Sequence, residues 1–345
     1  MLDGENIGLC GIYVHDCANV TIRNGIVKGC YNGIRGERVT NLRIEHCVLS
    51  DNHNPLGVGW LDDTDEPAEE GFGGGIYLRQ VRSSLILGNE INNNFNGIDL
   101  IGSEWNTLSE NNVSYSGNIG VHLLLSSHNT IERNRADHCI RYTGRFWCDT
   151  ADSAGILLEE YSHHNRIVDN TMRYSGDGLF IRANNRHGCN HNYIARNDGS
   201  FSPNNAFEAG FSKRNLFEDN IAEFSNYGFW LGYSRHTVAR GNRVSWNRLD
   251  GIAIQHGSDN TIENNRITAN RSGIRLWATA THSIKDPSER YLIRKNQVSN
   301  SRECGVSYSN TRDVSLEDNA FENNVVDVMA DRLESRDIGS TGDRS

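Results

Sequence analysis

The chain has 345 residues, of which 37% are hydrophobic, and a formal net charge of −10 at pH 7; its mean hydropathy is −0.59. The acidic balance argues against a nucleic-acid-binding protein that depends on phosphate contacts. No apolar run approaches the roughly 18–20 residues of a membrane span, and residues 1–6 lack the basic and apolar segments of a signal peptide.

A repeated unit runs along most of the chain. Each copy begins with Gly, an apolar residue, any residue and a second apolar residue, and uninterrupted copies lie 22 or 23 residues apart. A period in this range indicates a solenoid. The copies, some of them degenerate, begin at Gly11, Gly33, Gly75, Gly97, Gly120, Gly155, Gly178, Ala206, Gly228, Gly251, Gly273 and Gly305.

A second pattern, Asn-Thr-Ile or its equivalent followed by another Asn, recurs within the units, as in residues 129–134, 165–170 and 260–265. The apolar positions alternate over short stretches, which is the periodicity of a strand. Asn tolerates a left-handed backbone, and its amide can bond to the copy one coil above. A leucine-rich horseshoe would need Leu-x-x-Leu-x-Leu and a helix-length stretch in each unit, and neither is present. The sequence therefore predicts an all-β parallel β-helix with three short strands per coil.

We expect one β-helix domain of about twelve coils over residues 1–326, followed by a C-terminal cap and tail over residues 327–345. With about 4.8 Å per coil, the rod would be on the order of 58 Å long. The repeat begins almost at once, without the amphipathic helix that usually caps an exposed end. This predicts that a preceding segment or another chain covers the N-terminal end, while the oligomeric state stays open.

One outward face follows from the alternation of side chains along a strand. If the two apolar residues of each unit point inward, the second and fourth residues after Gly point to solvent. The second positions are Tyr13, Arg35, Tyr77, Asp99, His122, Leu157, Phe180, Glu208, Trp230, Ala253, Arg275 and Ser307. The fourth positions include His15, Glu37, Arg79, Glu159, Arg182, Gln255 and Trp277.

This face carries aromatic rings among carboxylates, guanidinium groups and histidine, where an ordinary solvated face would carry Ser, Thr, Asn and Lys. Exposed rings suit the apolar faces of sugars, and charged groups suit hydroxyls or acidic sugars. The sequence therefore predicts an oligosaccharide or polysaccharide partner. The predicted substrate-binding residues are Tyr77, Arg79, Arg145, Trp147, Phe180, Trp230, Gln255, Arg275 and Trp277.

Insertions place loops beside this face, because 42 residues separate Gly33 from Gly75 and 35 separate Gly120 from Gly155. Long loops in a compact repeat are usually functional or disordered. The first loop, residues 51–72, is acidic and could bind Ca²⁺ through its carboxylates, but it lacks the EF-hand spacing, and a solvated acidic loop is the preferred interpretation. We therefore predict no metal site. Its acidic residues include Asp62, Asp63, Asp65, Glu66, Glu69 and Glu70.

The eight cysteines form no Cys-x-x-Cys pair, which argues against a zinc site. Buried free thiols are the preferred interpretation. Cys139 and Cys148, within one loop, are the candidate pair for a disulfide.

The repeated units resemble those of the parallel β-helix proteins of the carbohydrate-binding and sugar-hydrolase type, in the pectate lyase-like superfamily. Relatives include pectate lyases, polygalacturonases, alginate lyases and mannuronan epimerases, and the same units occur in maturation proteins of the nitrous-oxide reductase copper site. The resemblance extends from Cys10 to Asn324. It implies a right-handed helix, a secreted or periplasmic location, and a substrate lying along the sheet of Gly-Ile-x-Leu strands. Because this scaffold serves many functions, the resemblance does not fix the chemistry.

Three functional hypotheses stay open. The first is a glycoside hydrolase, which needs two carboxyl groups about 5 Å apart for retention or about 6.5–9.5 Å for inversion. Glu159 with Glu208, or Asp99 with Glu159, would supply them. His122 would orient water or a carboxyl group, and Arg182 would keep Glu159 ionised.

The second hypothesis is a uronate lyase or C5-epimerase, which needs a base, an acid and cations beside the uronate carboxylate. The cations would be Arg79, Arg182, Arg275, Arg141 and Arg145, and the proton-transferring groups His122, Tyr77 and Tyr142. The epimerase motif Asp-Pro-His is absent. The third hypothesis is a non-catalytic binding or periplasmic maturation module. A copper role would need clustered His, Cys or Met, whereas the chain has three Met residues.

Overall fold

The computed structural model describes residues 1–5, 10–53, 73–141, 153–183, 187–279 and 287–331. Over these ranges the chain coils into the predicted all-β parallel solenoid, with three strands in a typical coil. No helix in the described ranges is long and apolar enough to cross a membrane.

Sheet 1 is built from the Gly-apolar-x-apolar repeats and contains 13 strands among the described residues. They are Ile12–Ala18, Asn32–Thr40, Gly74–Arg79, Asn96–Ile101, Ile119–Leu124, Ala154–Glu159, Asp177–Arg182, Asn205–Ala209, Tyr227–Trp230, Ile252–Gln255, Ser272–Trp277, Cys304–Ser309 and Val326–Asp331.

Sheet 2 is built from the Asn-Thr-Ile pattern and has 12 strands in the same part of the chain. They are Thr21–Arg23, Arg43–Glu45, Leu85–Leu87, Thr107–Ser109, Thr130–Glu132, Arg166–Val168, Tyr193–Ala195, Leu216–Glu218, Val238–Arg240, Thr261–Glu263, Ser288–Arg294 and Thr311–Glu317.

Sheet 3 is shorter and has two parts in the described coils. The first comprises Leu2–Asp3, Ile26–Lys28 and Val48–Ser50, and the second Ile221–Glu223, Arg243–Ser245, Arg266–Thr268, Gln297–Ser299 and Ala320–Glu322. Single β-bridges through Glu90, Asn112, Arg135, Thr171 and Asp198 connect the two parts.

The strands pair in parallel register, so equivalent residues stack from coil to coil. Ile98, for example, pairs with Ile76 on one side and with Val121 on the other, and all three are fully buried. The Gly that opens each repeat lies against the next coil. A Cβ atom added at Gly97 would lie 2.3 Å from the carbonyl oxygen of Gly120, which explains why the repeat needs Gly there.

Asparagine ladders join the coils at the turns, as predicted. The longest runs without interruption along one edge of sheet 2, and each side-chain amide donates to the side-chain oxygen of the next Asn at 2.8–3.1 Å. Because these amides are mostly buried, their hydrogen bonds remove the penalty of unpaired polar groups. The members are Asn89, Asn111, Asn134, Asn170, Asn197, Asn220, Asn242, Asn265, Asn296 and Asn319.

The solenoid continues past the boundary predicted at residue 326. Val326–Asp331 pairs in parallel with Cys304–Ser309, as a regular strand of sheet 1. In the first coil, Ile12 and Val14 are only partly buried against the core, and in the last, Val326 and Met329 are exposed. The described end coils therefore present apolar side chains to solvent, while coverage of the N-terminal end stays a prediction.

The described cysteines are free thiols. Cys30, Cys47, Cys139, Cys189 and Cys304 are buried as predicted, whereas Cys10 and Cys17 are exposed. Burial raises the pKa of the Cys139 and Cys189 thiols to about 12. Cys148, the candidate disulfide partner of Cys139, lies outside the described residues.

Candidate functional site

The outer face of sheet 1 brings the predicted site residues into two rows. In the first row, Tyr77, Asp99, His122, Leu157, Phe180, Glu208, Trp230, Ala253, Arg275 and Ser307 are successive register partners. The second row contains Arg79, Ile101, Leu124, Glu159 and Arg182, and, farther along, Gln255 and Trp277. Arg145, Trp147, Tyr142 and the predicted acidic loop residues from Asp62 to Glu70 lie outside the described residues.

The expectation that this whole face is open to solvent is wrong for most of the face between Tyr77 and Arg182. Tyr77, Asp99, His122, Phe180 and Arg182 are all buried. Part of this burial is due to two clusters of apolar side chains that pack on the outer face, outside the main core. One contains Tyr77, Ile101 and Leu124, and the other Ile119, Ala154, Leu157 and Phe180. By contrast, Arg79 is exposed, and Glu208, Trp230, Gln255, Arg275 and Trp277 are partly exposed.

Four buried side chains form a continuous ion network, Asp99–His122–Glu159–Arg182. His122 Nδ1 lies 3.2 Å from Asp99 Oδ1, and its Nε2 lies 2.8 Å from Glu159 Oε2. The other Glu159 oxygen accepts a hydrogen bond of 2.8 Å from Arg182 Nε. The signs of the charges therefore alternate along the network.

The pKa shifts agree with this alternation. Burial alone would lower the pKa of His122, but hydrogen bonds to Asp99 and Glu159 outweigh it and raise the pKa to about 9. Burial would likewise raise the pKa of Glu159, yet His122 and Arg182 lower it to about 2. At neutral pH His122 is therefore an imidazolium that donates through both ring nitrogens, and Glu159 is a carboxylate.

A chain of amides extends this network. The Asn96 amide donates to Asp99 Oδ1 at 2.9 Å, and the Asn118 amide donates to Asn96 Oδ1 at 2.9 Å. Arg141 Nε, fully buried, donates to Asn118 Oδ1 at 2.7 Å. The second carboxylate oxygen of Asp99 is buried and accepts no hydrogen bond from the described residues.

The second half of the face, which we call the open stretch, is defined by Tyr227, Trp230, Trp277 and Arg275. The Trp230 ring lies 5.1 Å from the Tyr227 ring and 5.4 Å from the Trp277 ring, both edge to face. The Arg275 guanidinium lies 5.0 Å from the centre of the Trp277 ring. Beside it is a cavity of about 360 Å³, lined by Arg271, Ser272, Arg275, Leu276, Glu303, Cys304, Ser307, Tyr308, Ser309 and Met329.

The sequence interpretation missed a third row, formed by residues that directly precede the repeat Gly. Strict alternation places these residues inward, but the Asn96 and Asn205 amides donate hydrogen bonds to the outward carboxylates of Asp99 and Glu208. Tyr227 and Asp250 occupy the same position in later coils. The available signal for this row was that each member directly precedes the repeat Gly. The alternation rule alone does not assign these residues to the outer face.

Two family models match the chain. The model described as a right-handed β-helix region matches residues 3–139 and 69–207. The model described as the periplasmic copper-binding protein NosD matches residues 148–337. No curated protein sequence shows a significant match.

Solved structures share the fold at low sequence identity. A double mutant of the periplasmic alginate epimerase AlgG has a TM-score of 0.57 and 11% identity, over 90% of this chain and 71% of its own. The A-module of the Azotobacter vinelandii mannuronan C-5 epimerase AlgE4 has a TM-score of 0.50 and 13% identity, over 97% and 85% of the two chains. An exopolygalacturonase from Thermotoga maritima has a TM-score of 0.50 and 12% identity, over 91% and 82%. This similarity establishes the fold.

The described residues do not fit a copper site. No group of three or more of their His, Cys, Asp or Glu side chains is arranged to hold a metal ion. His128, His164 and His191 stack face to face, with ring centres 5.1 and 4.8 Å apart and interplanar angles of 3° and 12°. Nitrogen lone pairs lie in the ring planes, so those of a parallel stack do not converge on one ion. We therefore assign no copper chemistry to these residues.

Proposed function

The chain belongs to the right-handed parallel β-helix proteins of the pectate lyase-like type, and we propose that it binds an acidic polysaccharide along the outer face of sheet 1. The observation that carries the proposal is the open stretch, where aromatic rings and a guanidinium group lie close together on two strands separated by the strand Ile252–Gln255. The proposal includes a periplasmic or extracellular location, in line with the family model that matches residues 148–337.

The aromatic rings of the open stretch supply the contact for sugar rings. Trp230 and Trp277 are partly exposed, and both can offer apolar area and an indole N–H donor. Ala253 lies between Trp230 and Arg275 in the row and is fully buried. Because its side chain is small, the rings of Trp230 and Trp277 can approach each other to 5.4 Å although their strands are not neighbours.

Arginine side chains supply the preference for acidic sugars. The Arg275 side chain is 42% exposed and lies 3.7 Å from the buried carboxylate of Asp250. Asp250 makes its closer ion pair, at 2.8 Å, with Arg271. Arg275 therefore keeps most of its charge available at the surface, and a guanidinium binds carboxylates through paired hydrogen bonds.

The proposal is tested by titrating the protein with a galacturonate oligomer and with a neutral oligosaccharide of the same length. Trp277→Ala should lower the binding affinity for both ligands by about tenfold. Arg275→Gln should lower the affinity for the acidic ligand by about tenfold and the affinity for the neutral ligand far less. Trp105→Ala, which truncates an exposed Trp away from this face, is the matched control and should bind like the parent. Equal affinity of all variants for both ligands would overturn the proposal.

A second candidate function is hydrolysis of the bound glycan. It is favoured by the lowered pKa of Glu159, about 2, which suits the ionised member of a carboxyl pair. Glu208, partly buried between the ion network and the open stretch, would be the proton donor. Lyase or epimerase chemistry is less well supported, because with a pKa of about 9 His122 is protonated at neutral pH and cannot act as the base.

Analysis of the products formed when the protein is incubated with the same oligosaccharides distinguishes these reactions. New reducing ends without ultraviolet absorbance indicate hydrolysis, and 4,5-unsaturated products indicate a lyase. If Glu159→Gln, Glu208→Gln and His122→Ala each leave turnover intact, the catalytic assignment is wrong. Binding without any turnover would identify a non-catalytic carbohydrate-binding module.

A further inference from the structure

Six aromatic rings stack on the outside of the solenoid, at the turn that leads from sheet 3 towards sheet 1. Consecutive ring centres are 4.9, 4.9, 4.8, 5.1 and 6.4 Å apart, and the planes are within 15° of parallel. All six residues have a left-handed backbone, with φ between 54° and 63°. We call this row the aromatic stack: Tyr115, His138, Tyr174, Phe201, Phe224 and Trp246.

The aromatic stack ends at Trp246, where one face of the indole is left uncovered. The equivalent turn position in the next coil is Ala269, with the same left-handed backbone at φ 58°. A methyl group cannot cover an indole, and Trp246 is 60% exposed. The space that a seventh ring would fill is a cavity of about 360 Å³, lined by Trp246, Asn247, Arg248, Ala269, Asn300 and Arg302.

Two guanidinium groups line this cavity. Arg302 Nη2 donates to the carbonyl oxygens of Asn247 at 3.1 Å and Arg248 at 2.6 Å, which fixes it at the rim. Arg248 Nε donates to the side-chain oxygen of Asn226 at 2.9 Å. Neither arginine forms a salt bridge with a carboxylate of the described residues, unlike Arg243 nearby, which lies 2.8 Å from a Glu223 oxygen. The cavity therefore carries local positive charge on a chain whose net charge is −10.

We infer that this cavity is a second carbohydrate site, which takes a uronate residue. The apolar face of the sugar would lie on the exposed indole of Trp246, and its carboxylate would bind Arg302 and Arg248. The volume lies at the lower end of the range of about 300–1,000 Å³ typical of small-ligand pockets. The inference extends the proposed function, because it names a separate contact for the same class of ligand. Arg302 lines this cavity, and its neighbour in the chain, Glu303, lines the cavity beside the open stretch. One glycan can therefore reach both cavities.

The test follows the indole N–H signals of the tryptophans by NMR during titration with trigalacturonate. The Trp246 signal is identified by its loss in Trp246→Ala, and the Trp277 signal in the same way. Trigalacturonate should shift the Trp246 signal, and Arg302→Gln should raise the concentration needed by about tenfold. With the parent protein, a neutral trisaccharide should shift the Trp246 signal only at a concentration at least about tenfold higher than trigalacturonate requires. Tyr115→Ala, at the opposite end of the stack, is the control and should leave the titration unchanged.

Ala269→Trp provides an independent check, because a seventh ring should extend the stack, fill the cavity and abolish the Trp246 response. All six stack positions already accept rings on a left-handed backbone, so the variant should fold. The inference is overturned if the Trp246 signal does not respond, responds equally to the neutral sugar, or persists in Ala269→Trp. If the open stretch does not bind the ligand, the Trp277 signal will not respond, so this outcome is distinguished from failure of the second site.

Discussion

The environment of His122 shows why the ion network must act as a unit. The imidazolium and the carboxylates of Asp99 and Glu159 are all buried, so each charge has lost its hydration and depends on its neighbours. Removing one partner would leave a buried charge without compensation, which typically destabilises a protein by about 3–5 kcal/mol. Arg182 completes the balance, because its guanidinium bonds to Glu159 at 2.8 Å.

We expect the stability of the protein to depend on pH through this network. The pKa of His122 is raised from 6.5 to about 9 on folding, so its contribution is complete below pH 6.5 and is lost as the pH rises to about 9. The pKa of Glu159 is lowered from 4.5 to about 2, so its contribution is complete above pH 4.5 and is lost as the pH falls towards 2. The stabilising effect of the network is therefore greatest between these limits.

Between about pH 6 and about pH 9.5, the free energy of unfolding of the parent protein should fall by an amount on the order of 2–3 kcal/mol, measured by denaturant unfolding. His122→Gln should not show this fall. The glutamine keeps a side-chain donor and does not titrate. Parallel changes in both proteins across this range would contradict the assigned charge state.

The sequence predicted that Asp99 and His122, and Glu159 and Arg182, are register neighbours, because the period alone places them at equivalent positions. It could not predict their burial, because burial depends on the apolar clusters formed by Leu124, Leu157 and Phe180 on the outer face. Nor could alternation reveal the contact of Asn96 with Asp99, because strict alternation places the two side chains on opposite sides of the strand.

At the scale of the strands and turns, the asparagine ladder is the main polar connection between coils. Asn220 is a central member: its side-chain oxygen accepts from the backbone N–H and the amide of Asn197 at 3.0 and 3.1 Å. Its own amide donates to the carbonyl oxygen of Ile194 at 2.9 Å and to the side-chain oxygen of Asn242 at 3.1 Å. All of these groups are buried, so water cannot replace the lost bonds.

Asn220→Ala should lower the free energy of unfolding by about 2–4 kcal/mol, since several buried donors and acceptors lose their partner. Asn319→Ala, at the partly exposed end of the same ladder, is the matched control and should lose less than about half as much. Urea denaturation of both variants measures the difference. Equal losses at the two positions would mean that the ladder does not stabilise the coils through its buried bonds.

The last strand shows where repeat-based prediction ends. Asp327 stands where the other repeats have Gly or, in one case, Ala206, so the pattern that predicted the earlier strands is missing there. At the other repeats a small residue is favoured because the carbonyl of the following coil approaches it, as Asp327 O does at Gly305, 2.6 Å from an added Cβ. Among the described residues no coil follows Asp327, so a side chain is tolerated and the strand forms without the signal.

For the whole molecule, the repeat was sufficient to predict a parallel β-helix of about twelve coils, because a solenoid is specified by what each unit shares. The chemistry depends on what the units do not share, such as Trp230, Arg275 and Trp277 at equivalent or neighbouring positions. Solved structures at 11–13% identity agree in fold, and function has to be argued from the side chains on the face.

The most direct test of the central claim is a crystal structure of the protein soaked with a galacturonate oligomer. We predict continuous density for the sugar chain along the outer face of sheet 1, with rings against Trp230 and Trp277 and a carboxylate on Arg275. Ordered sugar bound only on sheet 2 or at the ends of the solenoid, with the open stretch empty, would contradict the account.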